Sequence, residues 1–386
     1  MERNIKLLAL FNFFTDFKFH SAILILYFSR VTGSFALGMS LFSVTQIISA
    51  IFEVPTGIYS DYLGRKKTLL LGAVCASLSA ILYAVGINYW FLFLGAIAEG
   101  LSRSWYSGNN DALLHDSLRS LGRKDLFDHY FGRVSAMFQV ALTVGAVMGS
   151  VMAFWSFALV MWLSVIPQLT CCLIGLFIRE PPVESREIGN VFTHLRAAAA
   201  FLWKNKLLRL LSLQDILAYG VNEATFQFRA AFIATLWPLW AIGFAKMLSY
   251  AGASLSYWFG SRIIRRVGAL KMLFLSRVYG RVVNFVSLLF PTIISPILMS
   301  TTSVFFGVTN VATTSLMQKE FTNEQRATIA SLNSFVGSML FSFFALALGL
   351  LADKTNPTQA LIVAEVCTIP LIYLTGRLFY AGRQEL

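Results

Sequence analysis

Twelve stretches of apolar residues divide this chain, and each is long enough to cross a lipid bilayer as a helix. They lie at about 7–29, 36–60, 68–87, 90–113, 130–154, 156–178, 207–228, 232–259, 270–290, 296–318, 327–351 and 358–380. A membrane-spanning helix needs roughly 20 mostly apolar residues. Because lipid cannot hydrogen-bond an open backbone, each stretch is expected to be helical. The sequence therefore predicts an all-α membrane protein with twelve transmembrane helices.

The composition favours a membrane protein over a soluble one. Of the 386 residues, 57% are apolar and only 13% are charged, whereas soluble domains carry about 25% charged residues. The chain has no phosphate-binding GxxxxGK[ST] motif, no HExxH motif, no nucleophile elbow and no CxxC pair. We therefore expect no enzyme activity, no cofactor and no metal site.

Basic residues are concentrated in alternate connections between the stretches. The chain has 31 Lys and Arg against 19 Asp and Glu, a net charge of +12. The links after even-numbered stretches hold many of them, including Arg65, Lys66, Lys67, Arg119, Arg123, Lys124, Arg262, Arg265, Arg266, Lys319 and Arg326. Such an excess is typical of cytoplasmic loops. It predicts a multi-pass protein of the cell or inner membrane with both termini in the cytoplasm, and it explains the charge without a nucleic-acid partner.

The longest polar connection falls near the midpoint of the chain. It covers 179–206 and begins with Arg179 and Glu180. We expect an N-terminal six-helix bundle at 1–178, a central cytoplasmic loop at 179–206 and a C-terminal six-helix bundle at 207–386. Two repeated halves of this kind favour an alternating-access mechanism.

A glycine-rich, charged loop follows the second stretch. It contains Gly57, Asp61, Gly64, Arg65 and Lys66. We expect Gly57 to let a neighbouring helix approach and Gly64 to permit a sharp turn. Asp61 could meet the N-terminus of a facing helix or Arg65. These five residues are predicted to form a conformational lock that holds the two halves in one state and releases them in another.

This loop resembles the signature loop of the major facilitator superfamily, and the number of apolar stretches agrees with that family. The resemblance implies a secondary transporter of bacterial type that works as a monomer, with its first, fourth, seventh and tenth helices around a central cavity. A degenerate copy of the loop, Gly260 to Gly268, lacks the acidic residue. We therefore expect the lock to lie in the N-terminal half.

Ionisable residues inside the first and fourth stretches are the main site candidates. An ionisable group in a membrane span is costly and by default indicates a functional site. Asp16 and His20 are four residues apart and would share one face of a continuous helix, which makes them candidates for proton coupling or substrate binding. Lys18 would contact another helix or extend toward the membrane surface. Glu99 and Arg103 either line the cavity or form a self-neutralising structural pair.

Other polar residues in the predicted spans extend this site. The further candidates for coupling or for the substrate cavity are Glu53, Asp215, Tyr219, Glu223 and Asn310. Glu53 could equally have a structural role. Arg277 and Arg281, in the ninth stretch, are expected to pair with another helix or with lipid headgroups.

These observations predict a secondary active transporter that moves a small amphipathic organic molecule across the bilayer. Protons are the expected coupling ion, and export is favoured over import. Two alternatives remain open at this point. Arg277 and Arg281 would suit a lipid flippase on the same fold. A non-transporting receptor or sensor would bind a ligand without flux, but the intact loop from Gly57 to Lys67 argues against it.

Overall fold

A computed structural model describes residues 2–181, 201–203, 205–320 and 323–384. Within these ranges the chain is almost entirely helical and contains no strand. In the described part of the chain, seven helical segments are long and apolar enough to cross a membrane. The all-helical class predicted from the sequence is therefore confirmed for the described residues.

Seventeen α-helices are defined in the described part of the chain, numbered here in chain order. They are α1 (Glu2–Asp16), α2 (Leu24–Thr32), α3 (Phe35–Leu63), α4 (Arg65–Val85), α5 (Tyr89–Tyr106), α6 (Asn109–Ser120), α7 (Phe127–Ala153), α8 (Phe157–Leu163), α9 (Val165–Phe177), α10 (Lys206–Ile233), α11 (Ile242–Val267), α12 (Ala269–Leu289), α13 (Ser295–Thr301), α14 (Phe306–Glu320), α15 (Asn323–Lys354), α16 (Pro357–Cys367) and α17 (Ile369–Gln384). Each predicted stretch overlaps one of these helices or two consecutive ones.

Local sequence signals explain where several helices begin and end. Side-chain oxygens cap the N-termini of α3, α5, α8, α10 and α16, and the capping residues are Ser34, Asn88, Ser156, Asn205 and Asn356. These residue types accept hydrogen bonds from the first free amides of a helix. Glycines in the left-handed region end α2 and α4, at Gly33 and Gly86.

The chain divides into two compact units. The first comprises Met1–Ile188 and Leu239–Met247, and the second comprises Gly189–Pro238 and Leu248–Leu386. Most of the predicted central loop at 179–206 lies outside the described residues, so its form stays a prediction. The short segment 239–247, which the sequence places in the C-terminal bundle, belongs to the first unit.

In the first unit, α5 packs against both α3 and α4, and α4 also packs against α9. One core cluster joins α1, α4, α6 and α9 and includes Leu8, Phe11, Leu69, Leu113 and Cys171. A second cluster joins α2 to α5 and includes Tyr27, Phe28, Leu41, Tyr83 and Leu92. These clusters fix α1 and α5, which carry Asp16, Glu99 and Arg103.

In the second unit, α10 packs along α15 and also contacts α17. Leu208 and Ile329 are fully buried at the first of these contacts, and the Asn333 amide donates to the Ser212 hydroxyl at 3.1 Å. This packing fixes α10, which carries three of the predicted site residues.

The outward-facing surface of both units is apolar. Large exposed side chains include Val74, Leu173, Trp258, Phe343 and Tyr373, each more than half exposed. A soluble monomer rarely leaves such surface in water. This surface, together with the seven apolar segments, supports an integral membrane protein.

Two glycines of α7 allow the chain to pass close to this helix between α1 and α2. A Cβ at Gly145 would lie 3.1 Å from the carbonyl oxygen of Lys18, and a Cβ at Gly149 would overlap the carbonyl oxygen of Phe19. Backbone atoms cannot move aside as a flexible side chain can. The interruption of the helix at Lys18, between α1 and α2, therefore depends on the absence of side chains at these two positions.

Gly149→Ala is expected to lower the free energy of unfolding by about 2 kcal/mol, because the new methyl group must displace backbone. Gly132→Ala is the matched control on the same helix, since its Cβ would meet nothing within 4 Å among the described atoms. The control should leave stability unchanged or raise it by up to about 1 kcal/mol. Thermal unfolding of the purified proteins in one detergent measures both, and equal melting temperatures would contradict the close approach at Gly149.

Candidate functional site

The first apolar stretch is not a continuous helix. Helix α1 ends at Asp16, Lys18 is extended, and a short 3₁₀ turn runs from Phe19 to Ala22 before α2 begins. The expectation that Asp16 and His20 share one helical face is therefore wrong, because the helix ends between them. The break instead places Lys18 where its side chain can reach α5.

Glu99 on α5 is the centre of a buried ion-pair cluster. Lys18 Nζ donates to its Oε1 at 2.7 Å, and Arg103 Nε donates to the same oxygen at 3.3 Å. Glu99 is 8% exposed. The pair of Glu99 and Arg103 is thus not self-contained, since Glu99 also neutralises Lys18 from the first stretch.

Asp16 completes the charge balance of this cluster. It interacts electrostatically with Lys18, Arg103 and Glu99. Two cations and two carboxylates therefore lie together, and their formal charges cancel. Arg103 is half exposed and also bonds Gln46 on α3 at 3.4 Å, so the cluster reaches the surface of the first unit.

His20 lies against the cluster without being tied into it. Its ring is buried, stands edge-on to Tyr83 at 6.1 Å and interacts electrostatically with Lys18 and Glu99. Its Nδ1 has no hydrogen-bond partner among the described residues. The structure thus brings together five of the predicted residues, namely Asp16, Lys18, His20, Glu99 and Arg103.

Glu53 lies further along the contact between α3 and α5. Its Oε1 accepts from the Ser107 hydroxyl at 3.2 Å. Gln46, which touches Arg103, is seven residues away on α3, a helical distance of about 10 Å. The structure therefore does not place Glu53 in the ion-pair cluster.

The predicted site residues of the second unit have separate partners. Asp215 on α10 interacts electrostatically with Arg277 on α12. Glu223 accepts from Gln227 of its own helix at 2.7 Å, and Asn310 donates to the Tyr257 hydroxyl at 2.5 Å. Tyr219 is 41% exposed. The second unit thus shows no counterpart of the Glu99 cluster among these four residues.

The loop between α3 and α4 is held by interactions that the sequence did not indicate. Gly64 adopts a φ of 88°, as a sharp turn requires. The Glu180 carboxylate accepts from the backbone amides of Arg65 at 2.6 Å and Lys66 at 2.8 Å. It therefore caps the N-terminus of α4, where a negative charge is favourable. This contact joins residues 115 positions apart, which is why sequence reasoning missed it.

The side chains of the loop also bond within the first unit. Arg65 donates to the Ser60 hydroxyl at 2.8 Å and lies 3.8 Å from Asp116 on α6. Lys66 Nζ donates to the Leu176 carbonyl at the end of α9 at 2.8 Å. These bonds tie the ends of α3, α4, α6 and α9 together.

Gly57 and Asp61 are the remaining members of the predicted lock. A Cβ at Gly57 would meet nothing within 4 Å among the described atoms. The expected close approach of a helix at Gly57 is therefore wrong for this structure. Asp61 lies in the last turn of α3, but its side chain is outside the described residues, so its role stays a prediction.

Arg277 and Arg281, the two arginines of α12, each have an acidic neighbour within the second unit. Arg281 bonds Glu365 on α16 through Nη1, and its Nη2 donates to Asn222 at 2.7 Å. Asn284 donates to the other oxygen of Glu365 at 2.7 Å. Glu365 is 2% exposed and was not singled out from the sequence. Interhelical pairing is thus confirmed for Arg281, and this arginine does not face lipid headgroups.

No metal site is visible in the described part of the chain. No group of three or more His, Cys, Asp or Glu residues there could hold a metal ion. The charged cluster is built of acid–base and ion-pairing groups, which can bind charged solutes or exchange protons.

The sequence matches a known family over most of its length. The family model described as Major Facilitator Superfamily matches residues 7–346. The Na(+), Li(+), K(+)/H(+) antiporter of Planococcus maritimus is 25% identical over 186 residues, which are 46% of this chain and 43% of the antiporter. The class E tetracycline resistance protein of Escherichia coli is 26% identical over 121 residues, 31% of this chain and 28% of that protein. Both matches span less than half of the relative.

Solved structures share the fold over nearly the whole chain. A crystal structure of the nucleoside transporter NupG gives a TM-score of 0.81 at 16% identity, covering 97% of this chain and 99% of that one. A bacterial homolog of the human lysosomal transporter Spinster, inward-facing and unoccupied, gives 0.72 at 12% identity, covering 99% and 96%. Identities this low establish similarity of fold alone.

Glu99→Gln is expected to lower the free energy of unfolding by about 3 kcal/mol, because Lys18 loses its charged partner in a buried setting. Lys18→Met should also destabilise, and the double variant should lose less than the sum of the two single losses. Melting temperatures of the four proteins in one detergent give the coupling. Strict additivity would contradict the ion pair.

Glu180→Ala is expected to destabilise the protein by about 1–2 kcal/mol, since two amides at the start of α4 lose their acceptor. Glu2→Ala is the comparison, because Glu2 forms an exposed ion pair with Arg123 at 2.9 Å, and such pairs contribute about 0–1 kcal/mol. Thermal unfolding should rank the two variants in that order. A larger loss for Glu2→Ala would exclude Glu180 as the cap.

Proposed function

Since the chain belongs to the major facilitator superfamily, a family of membrane transporters and not of enzymes, we propose that it is a secondary active transporter for a small amphipathic organic molecule. The observation that carries this proposal is the buried cluster around Glu99 inside an otherwise apolar unit. The side chains of Lys18 and Glu99 are largely buried, and ionisable groups inside membrane spans are costly and by default indicate a functional site. Alternating access between two six-helix halves is the mechanism.

Proton coupling is assigned to Asp16 and His20. Both are held next to the ion pair of Lys18 and Glu99, and His20 Nδ1 has no partner among the described residues. Carboxyl and imidazole groups are suited to proton exchange. Protonation of Asp16 removes one negative charge from a cluster whose formal charges cancel. The cluster is then positive, which favours binding of a negatively charged group of the substrate. This gives the proton and the substrate a common site.

An amphipathic substrate suits the surroundings of the break between α1 and α2. Phe13, Phe17 and Phe19 form a row of rings with centroid distances of 5.1 and 4.7 Å. Phe17 and Phe19 flank Lys18 in the chain. These rings are the proposed contact for the apolar part of the substrate, and the charges of Lys18 and Glu99 are the proposed contact for its polar part. A molecule with an aromatic or aliphatic body and a charged group would meet both.

The proposed topology has twelve membrane spans, both termini in the cytoplasm and a monomeric protein. The alternation of basic connections supports this orientation. Export is the proposed direction. The class E tetracycline resistance protein and the Planococcus maritimus cation/H(+) antiporter are distant relatives whose names fit efflux and proton exchange, and each contributes only a partial match.

Metabolite profiling of cells and medium tests the function. Strains carrying the intact protein, no protein, Asp16→Asn or Asp125→Asn are compared; Asp125 is an exposed residue outside the cluster. Export predicts a compound depleted inside and enriched outside with the intact protein and Asp125→Asn, but not with Asp16→Asn. The identified compound is then assayed in proteoliposomes with and without an imposed proton gradient.

The opposite distribution of the compound would establish import and overturn the proposed direction. Equal flux with Asp16→Asn and the intact protein would remove Asp16 from coupling. If no compound differs between strains and ligand-induced thermal shifts are still found, the transport proposal fails in favour of a receptor.

A further inference from the structure

Arg229 occupies a position that the sequence did not predict. The apolar pattern places it in a short connection between the seventh and eighth stretches, at the membrane surface. In the structure α10 continues to Ile233, and Arg229 is 9% exposed. The helix runs on because Ala230 to Ile233 are also buried. An expected surface cation is thus an interior one.

The buried arginines of the second unit exceed the carboxylates beside them. Arg277 interacts with Asp215, and Arg281 is bonded to Glu365. Arg229 has Glu365 and Arg281 as its electrostatic neighbours. Because Glu365 already holds Arg281, Arg229 is left without a carboxylate of its own. The three guanidinium groups share two negative charges.

The guanidinium of Arg229 is held at one end only. Its Nη1 donates to the Met299 carbonyl oxygen at 3.2 Å, and this is its one hydrogen bond within the described chain. Its Nε is buried without a partner among the described residues. The Met299 bond therefore holds Nη1, while Nε and Nη2 form no hydrogen bond within the described chain. The edge formed by Nε and Nη2 presents two parallel donors, the arrangement that binds a carboxylate or phosphate bidentately.

The neighbourhood of Arg229 combines apolar and polar groups. Its guanidinium lies 6.0 Å from the centre of the Phe226 ring, and Phe226 lies 6.4 Å from the Tyr250 ring. A ligand with an anionic end and an apolar body matches these groups.

We propose that Arg229 binds a carboxylate or phosphate group of the transported molecule through its Nε and Nη2 edge. This inference rests on the proposed transport function and specifies its substrate class as an organic anion. The Glu99 cluster has no net formal charge, whereas the Arg229 region has a surplus of one positive charge. Arg229 is therefore the specificity-determining residue for the anionic group.

Ligand-induced thermal shift of the full-length protein in detergent tests the proposal without requiring transport. The probes are sodium benzoate, sodium acetate, inorganic phosphate and micelles containing phosphatidic acid, each against sodium chloride at constant ionic strength. A saturable rise in melting temperature is expected with benzoate or phosphate. Arg229→Gln should weaken that apparent affinity by about tenfold or more, the effect of losing a charge-assisted bond.

Two further variants show whether the effect on anion binding comes from the geometry of the Arg229 side chain, from its charge or from misfolding. Arg229→Lys keeps the charge but loses the two-pronged edge, so it should bind less tightly than the intact protein and more tightly than Arg229→Gln. Arg266→Gln, at an exposed position near the end of α11, should bind as the intact protein does. If Arg229→Gln does not fold, the difference between Arg229→Lys and Arg266→Gln decides the outcome.

The proposal is overturned if no small anion shifts the intact protein, or if Arg229→Gln and Arg229→Lys respond as the intact protein does. A response to phosphatidic acid alone would overturn the assignment to a small molecule in favour of a lipid headgroup. Anion binding without flux in any strain would overturn the proposed transport function but would still support the binding site at Arg229. Flux without anion binding would overturn the proposed role of Arg229 but would leave the transport function supported.

Discussion

The ion pairs of Glu99 govern the arrangement of the first unit. A cation within apolar helices is tolerable only with a partner, and Glu99 supplies that partner to Lys18 and Arg103 together. Lys18 can reach Glu99 because the first apolar stretch opens between Asp16 and Leu24. The opening in turn requires the bare backbone at Gly145 and Gly149. The interruption of the first helix and the two glycines of α7 therefore both serve the pairing of Lys18 with Glu99.

The two units carry charge in different ways. In the first, the formal charges around Glu99 cancel, so a change in the protonation of one member alters the balance of the whole group. In the second, Arg281, Glu365, Asn222 and Asn284 form a bonded network, and Arg229 remains with a neutral carbonyl as its partner.

The sequence predicts those features that depend on local pattern. Apolar stretches of sufficient length overlap helices, and the charged residues singled out in the first and fourth stretches lie together in the structure. It fails where non-local packing decides. The broken helix at Lys18 depends on glycines 127 and more residues away. Helix α10 extends past Arg229 because Ala230 to Ile233 are buried, and Arg229 then bonds a carbonyl on α13. Glu180 and Glu365 went unnoticed because a single carboxylate carries no signal until its partner is located in space.

Three polar contacts of helix α10 lie at regular intervals. Asp215, Asn222 and Arg229 are each seven residues apart and engage Arg277, Arg281 and Met299 respectively. Seven residues are nearly two full turns, so the three side chains drift by only about 20° per interval and form one stripe. A rotation of α10 about its own axis would break all three contacts together. The helix therefore has a preferred angular setting within the unit, and a rotation large enough to break one of these contacts is expected to break all three.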